Sequence, residues 1–323
     1  MGVVLPGLEE IREAAELVYR SMPATPQYCW PLIKERAGAE VWVKHENHTP
    51  VGAFKLRGGL VYMDWLARER PEVKTVVSAT RGNHGQSIAL GAARSGIRSV
   101  IVVPRGNSVE KNRAMRTLGA ELVEHGEDFQ GALEHAVRLE QENGWHWVPS
   151  YHRLLVTGVA TYALEFLSAC PGLETVYVPI GMGSGISGMI AVRDALGLTT
   201  KIVGVISKHA PATALSLAAG HVVEHAAATR IADGVACRRP DAEALEIVRA
   251  GAERIVEVDD EEVEEAMRAY FTDTHNVAEG AGAVGLAGLL KDRGAGGSRV
   301  GTVLSGGNVD RSVFGDVLCR AGA

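Results

Sequence analysis

Short apolar runs rich in β-branched residues recur along this chain, at 41–43, 75–78, 99–103, 175–180, 201–206, 254–258 and 300–304, and helical patterns fill the intervals between most of them. No other feature constrains the fold as tightly. A strand that is apolar at successive positions must be covered on both faces, and a helix after each strand returns the chain so that the next strand runs parallel. The alanine- and leucine-rich segments at 154–167 and 261–270 have the spacing that such covering helices need. The expected class is α/β, with parallel twisted sheets and helices on both faces.

At 323 residues the chain exceeds what one hydrophobic core usually serves. Residues 56–152 contain strand–helix units of their own at 75–96, 99–118 and 121–144. They are expected to form a small inserted domain, with 1–55 and 153–323 making the larger one. A cleft between two such domains is a natural ligand site.

Composition narrows the partners. A net charge of −6 argues against nucleic acid, which needs a basic face. Cys29, Cys170, Cys237 and Cys319 form no CxxC pair, so a disulfide framework or structural zinc is not expected and a reducing cytoplasm is. Glu9, Glu10, Glu13 and Glu16 lie on a helical pattern, which is unlike a signal peptide, and no apolar stretch reaches membrane-spanning length.

Four segments carry chemistry. In the first, KHENHTPVGAFKLRGG from Lys44 to Gly59, a strand leads into a helix with Lys55 near its start. Partial burial and the positive end of the helix dipole both lower a lysine pKa, and only the neutral amine attacks an aldehyde. A lone lysine is more often a solvated surface group; the neighbouring segments argue otherwise. The second, SATRGNHGQS at 78–87, is another strand–turn–helix, whose backbone N–H groups can bind a carboxylate and whose Asn83 can reach a ring oxygen. In isolation it would read as a plain helix cap. The third, VPIGMGSGISG at 178–188, ends in a glycine turn suited to a phosphate. It matches GxGxxG, yet the following strand at 201–206 leads to Ser207, Lys208 and His209 rather than to a ribose-binding acid, so a monophosphate fits better than a dinucleotide. The fourth is Leu304-Ser-Gly-Gly-Asn308, where a serine hydroxyl can pair with a ring nitrogen.

In this order the four segments resemble the fold-type II (tryptophan synthase β-like) pyridoxal 5'-phosphate enzymes, specifically the serine/threonine dehydratase family, over nearly the whole chain. The resemblance implies that Lys55 is the Schiff-base lysine and also removes the substrate α-proton. Phe54 would pack by the cofactor ring, Asn83 would bond its oxygen, and Ser305 would face its nitrogen. Gly181, Met182, Gly183, Ser184 and Gly185 would cradle the phosphate; Thr80, Arg81, Gly82, Asn83 and His84 would hold the substrate carboxylate. Glu279, in NVAEGAG at 276–282, would lie near the ring. The implied reaction converts a β-hydroxy-α-amino acid, such as L-threonine or L-serine, to a 2-oxo acid and ammonium. Phenylserine or 3-hydroxyaspartate are alternative substrates, β-replacement of the cysteine synthase type is an alternative reaction, and a silent amino-acid-binding relative is the non-enzyme alternative. A homodimer or higher homo-oligomer is expected by resemblance alone.

The chain departs from the family pattern in two places. Arg81 stands where racemase members carry a serine base, and a guanidinium does not give up its proton. It either steers an anionic group or pairs with a neighbouring acid. The segment VISKHAPA at 205–212 has no carboxylate where relatives bind a divalent cation, so no metal is expected. His45 and His48 are not spaced for a zinc helix, and His48 lines the substrate side or caps a turn. The acidic run at 259–265 reads as the first turns of a solvated helix. An appended regulatory domain is not expected.

Overall fold

The computed structural model describes residues 4–320. Its strands are β1 (Gln27–Cys29), β2 (Glu40–His45), β3 (Thr75–Ala79), β4 (Arg98–Val103), β5 (Glu121–Glu124), β6 (His146–Trp147), β7 (Thr175–Pro179), β8 (Lys201–Ser207), β9 (Arg254–Val258) and β10 (Arg299–Leu304). The first six helices are α1 (Leu8–Tyr19), α2 (Pro31–Ala37), α3 (Lys55–Glu69), α4 (Asn83–Arg94), α5 (Val109–Thr117) and α6 (Phe129–Asn143). The remainder are α7 (Arg153–Ala169), α8 (Ser184–Ala195), α9 (Ala212–Ala219), α10 (Ala242–Gly251), α11 (Asp260–Thr274), α12 (Gly280–Lys291) and α13 (Arg311–Cys319).

The strands form two sheets. The larger has the order β1-β2-β10-β7-β8-β9 and the smaller β5-β4-β3-β6. All neighbours are parallel except β1, which runs antiparallel along β2 at the edge. The short link from β1 through the seven-residue α2 reverses the chain without a full crossover, which adds this one antiparallel edge to the expected parallel sheets.

Burial follows the sequence pattern. The near-continuous apolar strands β4, β7 and β8 are buried at almost every position because helices cover both faces. Helix α12, GAGAVGLAGLLK, is buried from Gly280 to Leu289 and packs on strands β7 to β10. Truncating Leu286 or Leu289 to alanine there would cost roughly 2–5 kcal/mol. The acidic run before it is only partly solvated. Asp259 caps α11 and Glu261 and Glu265 are exposed, but Asp260 and Glu264 are buried. Asp260 accepts hydrogen bonds from the Thr229 hydroxyl at 2.6 Å and the Arg230 N–H at 2.8 Å. A carboxylate so partnered can leave the solvent, which charge alone does not reveal.

Helix α3 lies between α4 and α7, and glycines set the spacing. A Cβ on Gly59 would approach the Ser87 carbonyl to 2.8 Å, one on Gly58 the Leu155 carbonyl to 2.7 Å, and one on Gly158 would meet the Arg57 carbonyl. Just inside this contact is a buried cluster of four charges. The Arg57 guanidinium donates to Glu46 at 2.7 and 2.9 Å and to Glu165 at 2.6 and 2.9 Å. Lys44 adds a 2.5 Å contact to Glu165, and the side chains of Lys44, Arg57 and Glu46 have no exposure at all.

The carboxyl ends of β2, β10 and β7 lie side by side, with Leu304 level with His45. The segments after these strands, and the one after β3, contain all four glycine-bearing motifs. This is the crevice where parallel α/β sheets bind ligands. No helix among the described residues is long and apolar enough to cross a membrane.

Candidate active site

The segment that carries Lys55 is fixed by backbone bonds before its helix begins. Gly52 adopts φ 69°, the Thr49 hydroxyl both donates to and accepts from Ala53 at 2.9 Å, and Ala53 forms a bridge with Gly306. The Phe54 N–H donates to the Ser305 carbonyl at 3.0 Å, and the Gly307 N–H to the Gly52 carbonyl at 2.9 Å. These contacts hold Lys55 against the Ser305-Gly-Gly turn after β10.

From there Lys55 Nζ reaches Ser184 Oγ at 3.2 Å. Ser184 opens α8 directly after the 181–183 glycine turn, so the amine and that turn form one site although 129 residues separate the two. Burial alone pulls the Lys55 pKa from its ordinary range down to about 8. The Phe54 ring lies 5.1 Å from Nζ and stands edge-on to Tyr162, whose hydroxyl donates to the Gly185 carbonyl at 3.0 Å.

The glycine turn is closely packed from outside. Gly183 has φ 99°, a Cβ there would come within 2.6 Å of the Ala244 side chain, and one on Gly181 would collide with the Gly234 carbonyl. Among the described residues no acceptor takes the backbone N–H groups from Gly181 to Ile186. Donors aligned at a helix start and left free suit a phosphate. The Met182 side chain points away from them, with its sulfur 3.7 Å from Cys237 Sγ. All four cysteines are free thiols.

Across the crevice, Asn83 opens α4. Its side-chain amide donates to Glu279 Oε1, and its carbonyl oxygen accepts from Asn308 at 2.9 Å. A Cβ on Gly306 would meet Glu279 and lie 3.3 Å from Asn83 Nδ2 and 3.2 Å from the Ala53 side chain, so these groups surround one flat glycine floor. Ser305 is buried beside it, its hydroxyl 3.4 Å from the Ala281 carbonyl. The Thr80 hydroxyl accepts from the Gly82 and Gly85 N–H groups at 2.9 and 3.3 Å. Thr80 therefore shapes the loop, while the N–H groups of Arg81, Asn83 and His84 stay free to hold an anion. His84 is buried, and burial, reinforced by the charge of Lys55, drives its pKa down to about 3.

Arg81 combines features of both readings. Its Nη1 lies 3.5 Å from Asp233, with both side chains over 40% exposed, while its Nε is buried without a partner. Such an exposed pair contributes little stability. His48 sits in a short 3-10 turn and bonds Asn276 at 2.8 Å. Lys208, after β8, pairs with Asp259 at 2.9 Å, and no cluster of three or more metal-ligating side chains occurs among the described residues.

Sequence reasoning missed Lys111, Tyr151 and Asn308 as site residues. Lys111 runs over Gly82 and pairs with Glu279 at 2.9 Å from the opposite side of the crevice. Tyr151 packs beside Gly183, its hydroxyl 3.3 Å from Ser187. Asn308 stood within a quoted motif; Lys111, in a helix rich in charge, had no local signal. A cavity of about 170 Å³ opens next to Asn308 and Lys111, lined also by Gln86, Glu110 and Asp310.

The donor set fits pyridoxal 5'-phosphate: a depressed-pKa lysine for the aldehyde, free N–H groups for the phosphate, an amide for the ring oxygen and a neutral hydroxyl for the ring nitrogen. Comparison with known proteins agrees. The family model described as pyridoxal-phosphate dependent enzyme matches residues 20–306. The L-threonine ammonia-lyase of Thermotoga maritima is 32% identical over 312 residues, which cover 96% of this chain and 78% of that protein. The biosynthetic L-threonine dehydratase of Salmonella typhimurium is 33% identical over 96% of this chain, which spans only 61% of that longer protein. The structure of processed threonine deaminase isoform 2 from Solanum lycopersicum superposes with a TM-score of 0.87 at 26% identity, covering 99% of this chain and 98% of that one. The free donors of the glycine turn, the buried amine facing them and the match along most of the chain lead to one assignment: this chain belongs to the pyridoxal-phosphate dependent enzymes.

Proposed function

We propose that this enzyme is a dehydratase, or ammonia-lyase, that converts a β-hydroxy-α-amino acid, L-threonine or L-serine, to a 2-oxo acid and ammonium. The observation that carries it is the buried Lys55 amine 3.2 Å from the head of α8, facing a turn of unpaired N–H groups. The threonine ammonia-lyases and dehydratases that match over most of the chain support the same reaction class.

When bound, pyridoxal phosphate supplies an electron sink for the pair left on the substrate α-carbon. The residues divide the remaining work. Lys55, whose amine burial makes easier to deprotonate, would hold the cofactor aldehyde and would serve as the general base for the substrate α-proton. Gly181, Met182, Gly183, Ser184 and Gly185 would hold the phosphate through their N–H groups, and Phe54 would pack beside the ring. Asn83, with Glu279 behind it, would bond the ring oxygen; Ser305 would face the ring nitrogen and, being neutral, would not compel its protonation. The 80–84 loop receives the carboxylate. Residues 1–55 and 153–323 would then carry the cofactor, and 56–152 the substrate loop.

Purified protein should be yellow, and Lys55→Ala should lose both the colour and the release of 2-oxo acid from L-threonine. An active, colourless enzyme overturns the reading. The unpartnered Arg81 Nε favours a second substrate, one with a side-chain carboxylate such as 3-hydroxyaspartate. Ranking kcat/KM for threonine, serine, 3-hydroxyaspartate and phenylserine, with and without Arg81→Ala, decides between them.

A further inference from the structure

One ring nitrogen in the crevice has no use in this scheme. His84 is the second residue of α4 and 7% exposed, and its Nε2 is buried with no hydrogen-bond partner. A buried polar atom left unsatisfied is costly and rare, and at a site of chemistry it marks where a ligand group belongs.

Its direction follows from helix geometry. Residues three apart share a helix face. Ser87, three along from His84, donates to the Lys55 carbonyl at 2.6 Å, so that face of α4 is turned toward the head of α3. The Lys55 charge also helps to depress the His84 pKa, in keeping with that direction. The imidazole is thus neutral at working pH and carries one N–H and one lone pair. The ring also hydrogen-bonds the Val148 backbone.

A substrate in the proposed scheme is fixed at two points: its carboxylate on the free N–H groups of the 80–84 loop, His84 included, and its α-proton at Lys55. Its β-substituent is then within a side chain's reach of the His84 ring. We propose that His84 Nε2 hydrogen-bonds the substrate β-hydroxyl and so selects hydroxylated amino acids and orients the C–O bond for elimination. His84 is a specificity-determining residue in this role. No proton passes to or from it, since its neutral form is the one that binds. The proposal rests on the dehydratase reading of the same site.

The test compares leaving groups. L-Threonine carries a β-hydroxyl; β-chloro-L-alanine carries a chloride that donates no hydrogen bond and departs without a proton, and both end as measurable 2-oxo acids. His84→Met should lower kcat/KM for threonine by about 10–100-fold, the range for a buried partner left unmatched. Turnover of β-chloroalanine should stay within roughly three-fold, as should inhibition by L-2-aminobutyrate, which lacks the hydroxyl. His84→Gln, whose amide can reach the same point, should recover much of the threonine activity. Where His84→Met does not fold, as judged by its melting curve and bound cofactor, His84→Phe fills the ring's space without its nitrogens and gives the same comparison. Equal losses on both substrates would make His84 a support of the loop and overturn the proposal, as would an undiminished rate with threonine. A wild-type enzyme that turns over neither substrate would sink the dehydratase reading itself, which is a separate outcome.

Discussion

Replacing Arg57 by Met tests the electrostatic account of how the Lys55 helix is held. In the native protein two cations, Lys44 and Arg57, face two carboxylates, Glu46 and Glu165, with side-chain exposures of 0%, 0%, 0% and 8%. Removing Arg57 deletes hydrogen bonds to both carboxylates and leaves the cluster with one uncompensated negative charge. Breaking a buried pair in this way costs about 3–5 kcal/mol. With about 2.1 cal/mol/K of unfolding entropy per residue, a 323-residue chain unfolding as one unit would melt roughly 4–7 °C lower. The pH dependence should change sign. Burial tends to raise the Glu165 pKa, but the Arg57 hydrogen bond, its charge and Lys44 outweigh burial and hold it below the usual carboxylate value. The wild-type contribution is therefore present above the unfolded pKa, about 4.3, and is lost as pH falls through the depressed native one. In the variant, burial is opposed by Lys44 and by the Tyr19 and Thr25 donors without the guanidinium, and the native pKa moves up. Stability is then greatest below the unfolded value and falls as pH rises through the raised one. Melting curves at pH 7 and pH 5 should show the variant closer to wild type at the lower pH. A deficit under 2 °C at pH 7, or a gap that widens on acidification, would refute the reasoning.

Cofactor loading should report the Lys55 pKa of about 8: the rate at which cofactor-free protein turns yellow with pyridoxal phosphate should rise about ten-fold from pH 7 to pH 9 and level off above pH 8. A rate that still climbs ten-fold per unit at pH 10 would mean an ordinary, solvated lysine. Gly181→Ala should weaken cofactor binding at least about ten-fold by equilibrium titration, because its Cβ meets the Gly234 carbonyl, which has no rotamer with which to retreat.

The parts of the site written in local chemistry were legible in the sequence. Glycine turns after apolar strands announce their conformation through φ and close approach, so Lys55, Asn83, Ser184 and Ser305 could be placed on strand-to-helix junctions before any coordinates. What could not be read was set by contacts far apart in the chain. Arg57 looks like a solvated charge two positions after Lys55, and its complete burial depends on Glu46 and Glu165 arriving from other elements. The pairing of Lys111 with Glu279 spans 168 residues. The two-residue β6 is too short for any periodicity, and it exists because Val76 and Val77 offer it a partner. The burial of Asp260 likewise comes from Thr229 and Arg230, in a loop with no regular pattern.

The squeeze on α3 has a consequence for how such an enzyme could acquire new substrates. Main chain presses on main chain at Gly58, Gly59 and Gly158, so no change of rotamer can absorb an added methyl group there. The helix that carries the amine is therefore tightly restricted in what it can vary. Divergence in what the pocket accepts has to come from surfaces that side chains alone define, such as the one around Arg81.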